Sequence, residues 1–339
     1  MKKALITGIN GQDGSYLSEY LIKQGYQVHG ILRRHSVAEN QDVRIKDMDV
    51  KTYYGELTDE ISLFKILRKV KPDVIYNLAA MSHVGISNEL PIFTVKTNSL
   101  AVMQLLELAK EICPEAKIYQ ASSSEMFGNS IDKDGFQRLS TTMNPVSPYG
   151  CSKVMAYNLI RYYRNAYNKF YCNGILFNHE SSIRGETFVS RKIAMAVAAI
   201  KKKKQKCLYL GNLDAKRDWG HAKDYVEGMW KMLQYDKPDE WVLATGESIT
   251  VNDFLTKALK YVDLEFEQYI KTSERYFRPN EVDYLLGDSS KAQKELNWTP
   301  KTSFEELVDL MIESDLNLAQ REQVLLKEGL IKPTWESLS

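Results

Sequence analysis

Cysteine is scarce in this chain: four in 339 residues, Cys113, Cys151, Cys172 and Cys207, none at metal-ligand spacing from another. That argues against a disulfide framework and a cysteine-held metal, and it predicts a reduced cytoplasmic setting. An excess of charge of one sign is also lacking, since 45 Lys and Arg face 44 Asp and Glu. Nothing global therefore points to nucleic acid or an anionic membrane as a partner. No apolar run reaches the ~18 residues that a membrane span needs. The N-terminal Met1-Lys2-Lys3-Ala4-Leu5-Ile6-Thr7-Gly8 is too short for a signal peptide and breaks at once into glycines. Repeats and low-complexity linkers are missing as well. The length suits one large or two medium domains with sizeable cores.

The residues that are present alternate between strand and helix patterns. Lys3-Ala4-Leu5-Ile6-Thr7 reads as a buried strand, followed by Gly8-Ile-Asn-Gly11-Gln-Asp-Gly14 and an amphipathic helix with Tyr16, Leu17, Tyr20 and Leu21 on one face. Strand, glycine turn and helix N-terminus together make a seat for a dinucleotide pyrophosphate. A second strand, Gln27 to Leu32, ends in Arg33-Arg34-His35-Ser36 with no acid. An NAD site wants a carboxylate there for the ribose 2′-hydroxyl, whereas guanidinium forks suit a 2′-phosphate, so NADP is the expected cofactor. Further strands are expected at 51–54, 73–78 and 116–120, with Gly55-Glu56-Leu57 at the adenine edge and Ala79-Ala80-Met81-Ser82 beside the nicotinamide ribose. The pattern predicts an α/β fold with a Rossmann-type, doubly wound parallel sheet and ligands at the strands' carboxyl ends.

Ala121-Ser122-Ser123-Ser124-Glu125 follows the fifth strand, and Tyr149 and Lys153 stand four apart at the start of a helical pattern. They share a helix face. Bringing a phenol from a pKa of ~10 to ~7 means favouring the phenolate by about 4 kcal/mol, and an ammonium one turn away acts in that direction. A strand-end hydroxyl, a carboxylate and this tyrosine would converge on one substrate carbon.

From Ala4 to about Leu307 the chain resembles the extended short-chain dehydrogenase/reductases, and within them the GDP-mannose 4,6-dehydratase family with its GDP-manno-heptose relatives. The likeness is carried by Thr7-Gly8-Ile9-Asn10-Gly11-Gln12-Asp13-Gly14-Ser15-Tyr16, Tyr54 to Asp59, Gly174 to Ser181, Gly211 to Tyr225, Arg278 to Asp283 and Leu296-Asn297-Trp298. The resemblance implies that Ser123, Glu125, Tyr149 and Lys153 are catalytic. It places NADP on Gly8, Asn10, Gly11, Gln12, Asp13 and Gly14, on Arg33 and Arg34, and on Glu56 and Leu57. Leu78, Ala80, Ser82, Tyr149, Lys153, His179 and Arg184 complete that set. The GDP-sugar is assigned to Ser82, Ser123, Ser124, Asn178 and Glu180, and to Val189, Lys192, Arg217, Arg278 and Glu281. No metal is implied; a homo-oligomer, tetramer or dimer, is.

The implied chemistry is oxidation at C4, removal of the C5 proton by Glu125, loss of water from C6 and hydride return to C6, giving a GDP-4-keto-6-deoxy sugar. Ser123 stands where the family usually has threonine, and Met81 where it usually has glutamine. Both open room at C6, so GDP-D-glycero-D-manno-heptose stands beside GDP-D-mannose as substrate. An epimerase or net dehydrogenase on the same fold, or an NADP-sensing regulator, are the rival readings; neither enzyme needs Glu125. The expected domains are an NADP-binding one, 1–177 with about 213–250, and a smaller, discontinuous α/β nucleotide-sugar one, about 178–212 with 251–339. The run Lys201 to Lys206 reads as a solvated helix end.

Overall fold

A computed structural model of the chain describes residues 1–34, 43–273 and 280–330. Seven strands form one sheet: β1 (Lys3–Thr7), β2 (Gln27–Leu32), β3 (Val50–Tyr54), β4 (Val74–Asn77), β5 (Lys117–Ser123), β6 (Tyr171–Leu176) and β7 (Glu240–Leu243). Their order is β7-β6-β5-β4-β1-β2-β3, with every neighbouring pair parallel. Side chains alternate between the two faces of a strand. Ala4 and Ile6 thus pack with Leu17 and Leu21 of α1 (Gln12–Lys23) and with Met229 of the helix Ala222–Gln234. Leu5 packs the other way, with Leu63 and Leu67 of α2 (Glu60–Val70), Leu105 and Leu106 of α3 (Ala101–Ile112) and Ile160 of α4 (Pro148–Tyr167). Each Leu, Ile or Met among them contributes ~1.5–3 kcal/mol when fully buried. The result is the doubly wound arrangement that the sequence predicts.

A row of polar side chains crosses the sheet near its carboxyl edge. Thr7, Asn77, Gln120 and Asn173 are register partners in turn across β1, β4, β5 and β6. The Thr7 hydroxyl donates to Asn77 Oδ1 at 2.7 Å, and Asn77 Nδ2 donates to Gln120 Oε1 at 2.7 Å. Ser122 Oγ donates to Asn173 Oδ1 at 3.2 Å. All five are buried, and hydrogen bonds of this kind offset the cost of taking polar groups out of water.

The fifth strand is longer than its sequence suggests. It runs through Ser123, pairing Ser122 with Ile175 and Ser123 with Leu176. The serines read as loop because they carry little strand preference, and pairing with a fully buried β6 overrides that. A π-helical segment, Lys96–Leu100, leads into α3.

Taken over the described residues of each range, the chain divides into two compact units. The first comprises Met1–His179, Arg217–Ser248 and Arg278–Lys301; the second comprises Glu180–Lys216, Ile249–Phe277 and Thr302–Ser339. The sequence reading assigned everything after 251 to the second, and the stretch 278–301 corrects it. The helix Ser290–Leu296 contributes Ala292 and Leu296 to the core beneath Trp241, and Trp298 Nε1 donates to Asp224 O at 2.7 Å. In the second unit the helices Val189–Lys201, Val251–Tyr261 and Phe304–Lys327 pack together, burying Ile193, Phe254, Leu307 and Met311. The lysine run stands at the helix end, with Lys201, Lys203 and Lys206 exposed, and three of its members also make contacts: Lys201 Nζ donates to Val262 O at 2.5 Å, Lys202 Nζ to Gln320 Oε1 at 2.7 Å, and Lys204 pairs with Glu322. Among the described residues no helix is long and apolar enough to cross a membrane.

Candidate active site

The glycine turn joins β1 to α1. Gly8 has φ +69°, a conformation that suits glycine, and a side chain there would press on the Ala79 backbone at 3.0 Å. Gly11 is the N-cap of α1, with no side chain capping the helix. A Cβ on Gly11 would meet only Gly8 O within 4 Å. A helix N-terminus whose N-cap residue brings no side chain fits a pyrophosphate. Around the turn, Asn10 O accepts from Arg44 Nη1 at 3.0 Å, and Gln12 Nε2 donates to Asp13 Oδ1 at 3.0 Å and to His179 O at 2.9 Å.

The other cofactor candidates stand at neighbouring strand ends. Arg33 and Arg34 are exposed after β2; His35 and Ser36 lie outside the described residues. Glu56 Oε1 accepts from Leu57 N at 3.0 Å, with Leu57 buried. Leu78 and Ala79 both donate their backbone N–H to Thr7 Oγ1 at 3.0 Å, which leads the chain into Ala80, Met81 and exposed Ser82.

The catalytic candidates come from two elements held tightly together. Ser123 ends β5 and Ser124–Met126 form a single 3₁₀ turn, in which Ser123 Oγ accepts from Glu125 N at 3.3 Å. Opposite is α4, with Ser147 as its N-cap accepting from Gly150 N at 3.0 Å and Pro148 in its first turn. A Cβ on Gly150 would lie 2.7 Å from Glu125 O. The missing side chain lets the helix that carries Tyr149 close against the turn that carries Glu125. Lys153, one turn on, donates from Nζ to Ala121 O at 2.8 Å and lies 5.7 Å from the Tyr149 ring centroid. Burial lowers the Lys153 pKa to about 8, and the Asp13 carboxylate opposes that shift. The lysine thus keeps its charge at neutral pH, beside the phenol.

Two further residues of the first unit have structural roles that the sequence reading does not assign. Asn98, in the π segment, accepts from Met81 N at 2.8 Å, donates to Met81 O at 2.9 Å and reaches Ser152 Oγ at 3.1 Å. It fixes the loop after β4 to α4. π segments recur at functional sites. Asp218 is fully buried and accepts from Thr245 N at 2.8 Å, Thr245 Oγ1 at 2.7 Å, Gly246 N at 3.0 Å and Gly287 N at 3.2 Å. It anchors its neighbour Arg217, whose Nη2 meets Glu281 Oε1 at 2.9 Å.

Asn178 is half-buried, one residue before His179. Arg278 lies outside the described residues. In the second unit Glu180 Oε2 accepts from Ser190 Oγ at 2.6 Å and stands 3.0 Å from Arg184 Nε. Val189 opens its helix, and Lys192 Nζ donates to Tyr209 O at 2.8 Å. Among the described residues no three His, Cys, Asp or Glu side chains cluster as a metal site.

The sequence profile of the family described as GDP-mannose 4,6 dehydratase matches residues 5–311. The chain belongs to the GDP-mannose 4,6-dehydratase family. It is 48% identical to GDP-mannose 4,6 dehydratase 1 of Arabidopsis thaliana, over 97% of this chain and 93% of that one. With GDP-mannose 4,6 dehydratase of Cricetulus griseus it shares 45% identity over 94% and 92%. Among solved structures, UDP-glucose 4-epimerase of Thermotoga maritima with UDP-glucose superposes at TM-score 0.81 over 95% of this chain and 99% of that one, at 23% identity; that likeness concerns the fold. Membership makes the chain a hydro-lyase acting on GDP-mannose, in a family that works with a nicotinamide dinucleotide.

Proposed function

We propose that the dinucleotide is NADP and that the dehydration is carried out by Tyr149, Lys153, Glu125 and Ser123. NADP, when bound, supplies hydride acceptance from sugar C4 and hydride return to C6. Tyr149 takes the O4 proton, helped by the Lys153 ammonium. The resulting 4-ketone acidifies C5, and Glu125 removes that proton as general base. The Glu125 carboxyl, set beside Ser123, then protonates the departing C6 hydroxyl. Net redox is zero. The supporting observation is the close approach of Gly150 to the backbone oxygen of Glu125, which sets the helix that carries Tyr149 against the turn that carries Glu125.

Arg33 and Arg34 are proposed to hold the ribose 2′-phosphate, and Arg217, with Glu281 orienting it, the GDP phosphates. Cofactor roles for Asn10, Glu56, Leu78, Ser82 and Arg184 and substrate roles for Ser124, Asn178, Glu180, Val189, Lys192 and Arg278 belong to the same proposal, with the first unit as the NADP domain and the second as the sugar-nucleotide domain. The four cysteines are free, which supports a cytoplasmic enzyme. A second copy of the chain is proposed to cover the apolar face of the helices after β4 and α4, where Leu90, Ile92, Phe93, Leu100 and Tyr162 are exposed. Ser123 and Met81 keep the manno-heptose in play as a substrate beside mannose. Turnover of the two GDP-sugars compared by product mass separates them; a strong preference for mannose removes the heptose.

The test of the mechanism is Glu125→Gln. Oxidation at C4, seen as transient NADPH absorbance, is expected to survive while water loss fails. Full turnover by this variant would sink the assignment.

A further inference from the structure

The glycine turn holds a group that looks out of place. Asp13 is in the first turn of α1, where a carboxylate suits an empty helix N-terminus but competes with any phosphate that docks there. The structure also shows what offsets it. His179 Nε2 lies 2.8 Å from Asp13 Oδ2, and His179 Nδ1 lies 2.7 Å from Phe177 O. A backbone carbonyl is an acceptor only, so Nδ1 carries a proton. The Nε2–Oδ2 contact then needs one more proton, on the ring or on the carboxyl. Either way the pair carries no net charge.

The ring is fixed in this pose. It stacks on Tyr225 with centroids 4.8 Å apart and planes 16° apart, and Gln12 Nε2 bridges Asp13 Oδ1 and His179 O. Among the described residues, His221 feels the charge of His179, and Lys153 of α4 and Tyr119 of β5 both feel that of Asp13.

We infer that His179 serves the cofactor as a positioning residue, its proton cancelling the Asp13 charge so that the glycine turn accepts a dinucleotide diphosphate. This rests on the reading of that turn as the phosphate seat. It accounts for both residues at once: Asp13 latches the end of β6 to the turn through His179, and His179 removes the electrostatic cost of having Asp13 there.

The test is the affinity for NADPH and for NADH, followed by nucleotide fluorescence on the whole chain, so that no turnover is required. His179→Asn takes away the ring proton that offsets the Asp13 carboxylate, and binding of both nucleotides is expected to weaken about tenfold or more. Asp13→Asn in that background is expected to restore affinity to within about threefold. His179→Gln, expected to weaken both nucleotides as His179→Asn does, keeps the test open if the shorter amide folds poorly. Unchanged binding by folded His179→Asn and His179→Gln, or no recovery in the double variant, would each overturn the inference. Wild-type protein that binds neither nucleotide would bring down the phosphate-seat reading and this inference with it. Binding of NADH in preference to NADPH would strike only the roles given to Arg33 and Arg34.

Discussion

At the end of β5 and across from it on α4, Ser123, Ser124, Glu125, Tyr149 and Lys153 are each more than nine-tenths buried, whereas at the end of β2 Arg33 and Arg34 are exposed. The buried corner is closed by backbone proximity: α4 meets the turn after β5 with no side chain between them, and Lys153 is anchored on Ala121 O. The exposed corner relies on long flexible cations. On the proposed function the difference separates two tasks. Proton transfers need atoms held within a fraction of an ångström, which packing provides. Choosing between two dinucleotides needs charge at one phosphate, which a side chain in solvent can supply.

Substitutions should therefore act unequally at the two corners. Gly150→Ala puts a methyl 2.7 Å from Glu125 O, so α4 or the turn must shift; kcat is expected to fall about a hundredfold or more, with NADPH affinity little changed. Activity near wild type in that variant would mean the corner is softer than its geometry. Arg33→Ser with Arg34→Ser is expected to weaken NADPH binding by about tenfold or more, in line with the loss of charge-assisted bonds, and to leave NADH binding and the chemical step alone. Equal losses for both nucleotides would contradict 2′-phosphate recognition. The smallest effect concerns pH. Burial holds Lys153 at about 8, below the ordinary lysine value, so the ammonium is present below that pH and is lost above it. Turnover with saturating substrate should decline several-fold as pH rises through about 8, and Lys153→Arg, though slower, should lack that limb.

Much of the fold around the site is legible in the sequence because its residues follow the strand–turn–helix grammar. Strands β1 and β2 show apolar runs, Gly8 to Gly14 punctuates them, and Tyr149 with Lys153 has helix spacing. Asn98 and Asp218 were not legible. Each is a single polar residue whose partners are distant in the chain, Asn98 with Ser152 and Asp218 with Gly287. No local period marks such a residue, and its purpose appears only when the fold brings the partners in. The serines that end β5 were misplaced for a related reason, since only their pairing with β6 makes them strand. The assignment of 278–301 failed similarly: its apolar residues fit either unit, and Trp298 reveals the choice by bonding to Asp224 O.

The polar row through Thr7, Asn77, Gln120 and Asn173 works as a ruler. Each amide or hydroxyl bonds at one height only, so sliding β4 by one residue would orphan groups in β1 and β5 together. The strand ends are thereby levelled against each other before any loop is added. The oxygen of Thr7 that marks the level also receives the first two amides of the loop leading to Ala80 and Ser82, and Ser123 stands three residues beyond Gln120 on the same scale. Loops grafted from a relative onto this sheet should keep their aim while the row is intact, and lose it together when Asn77 is replaced.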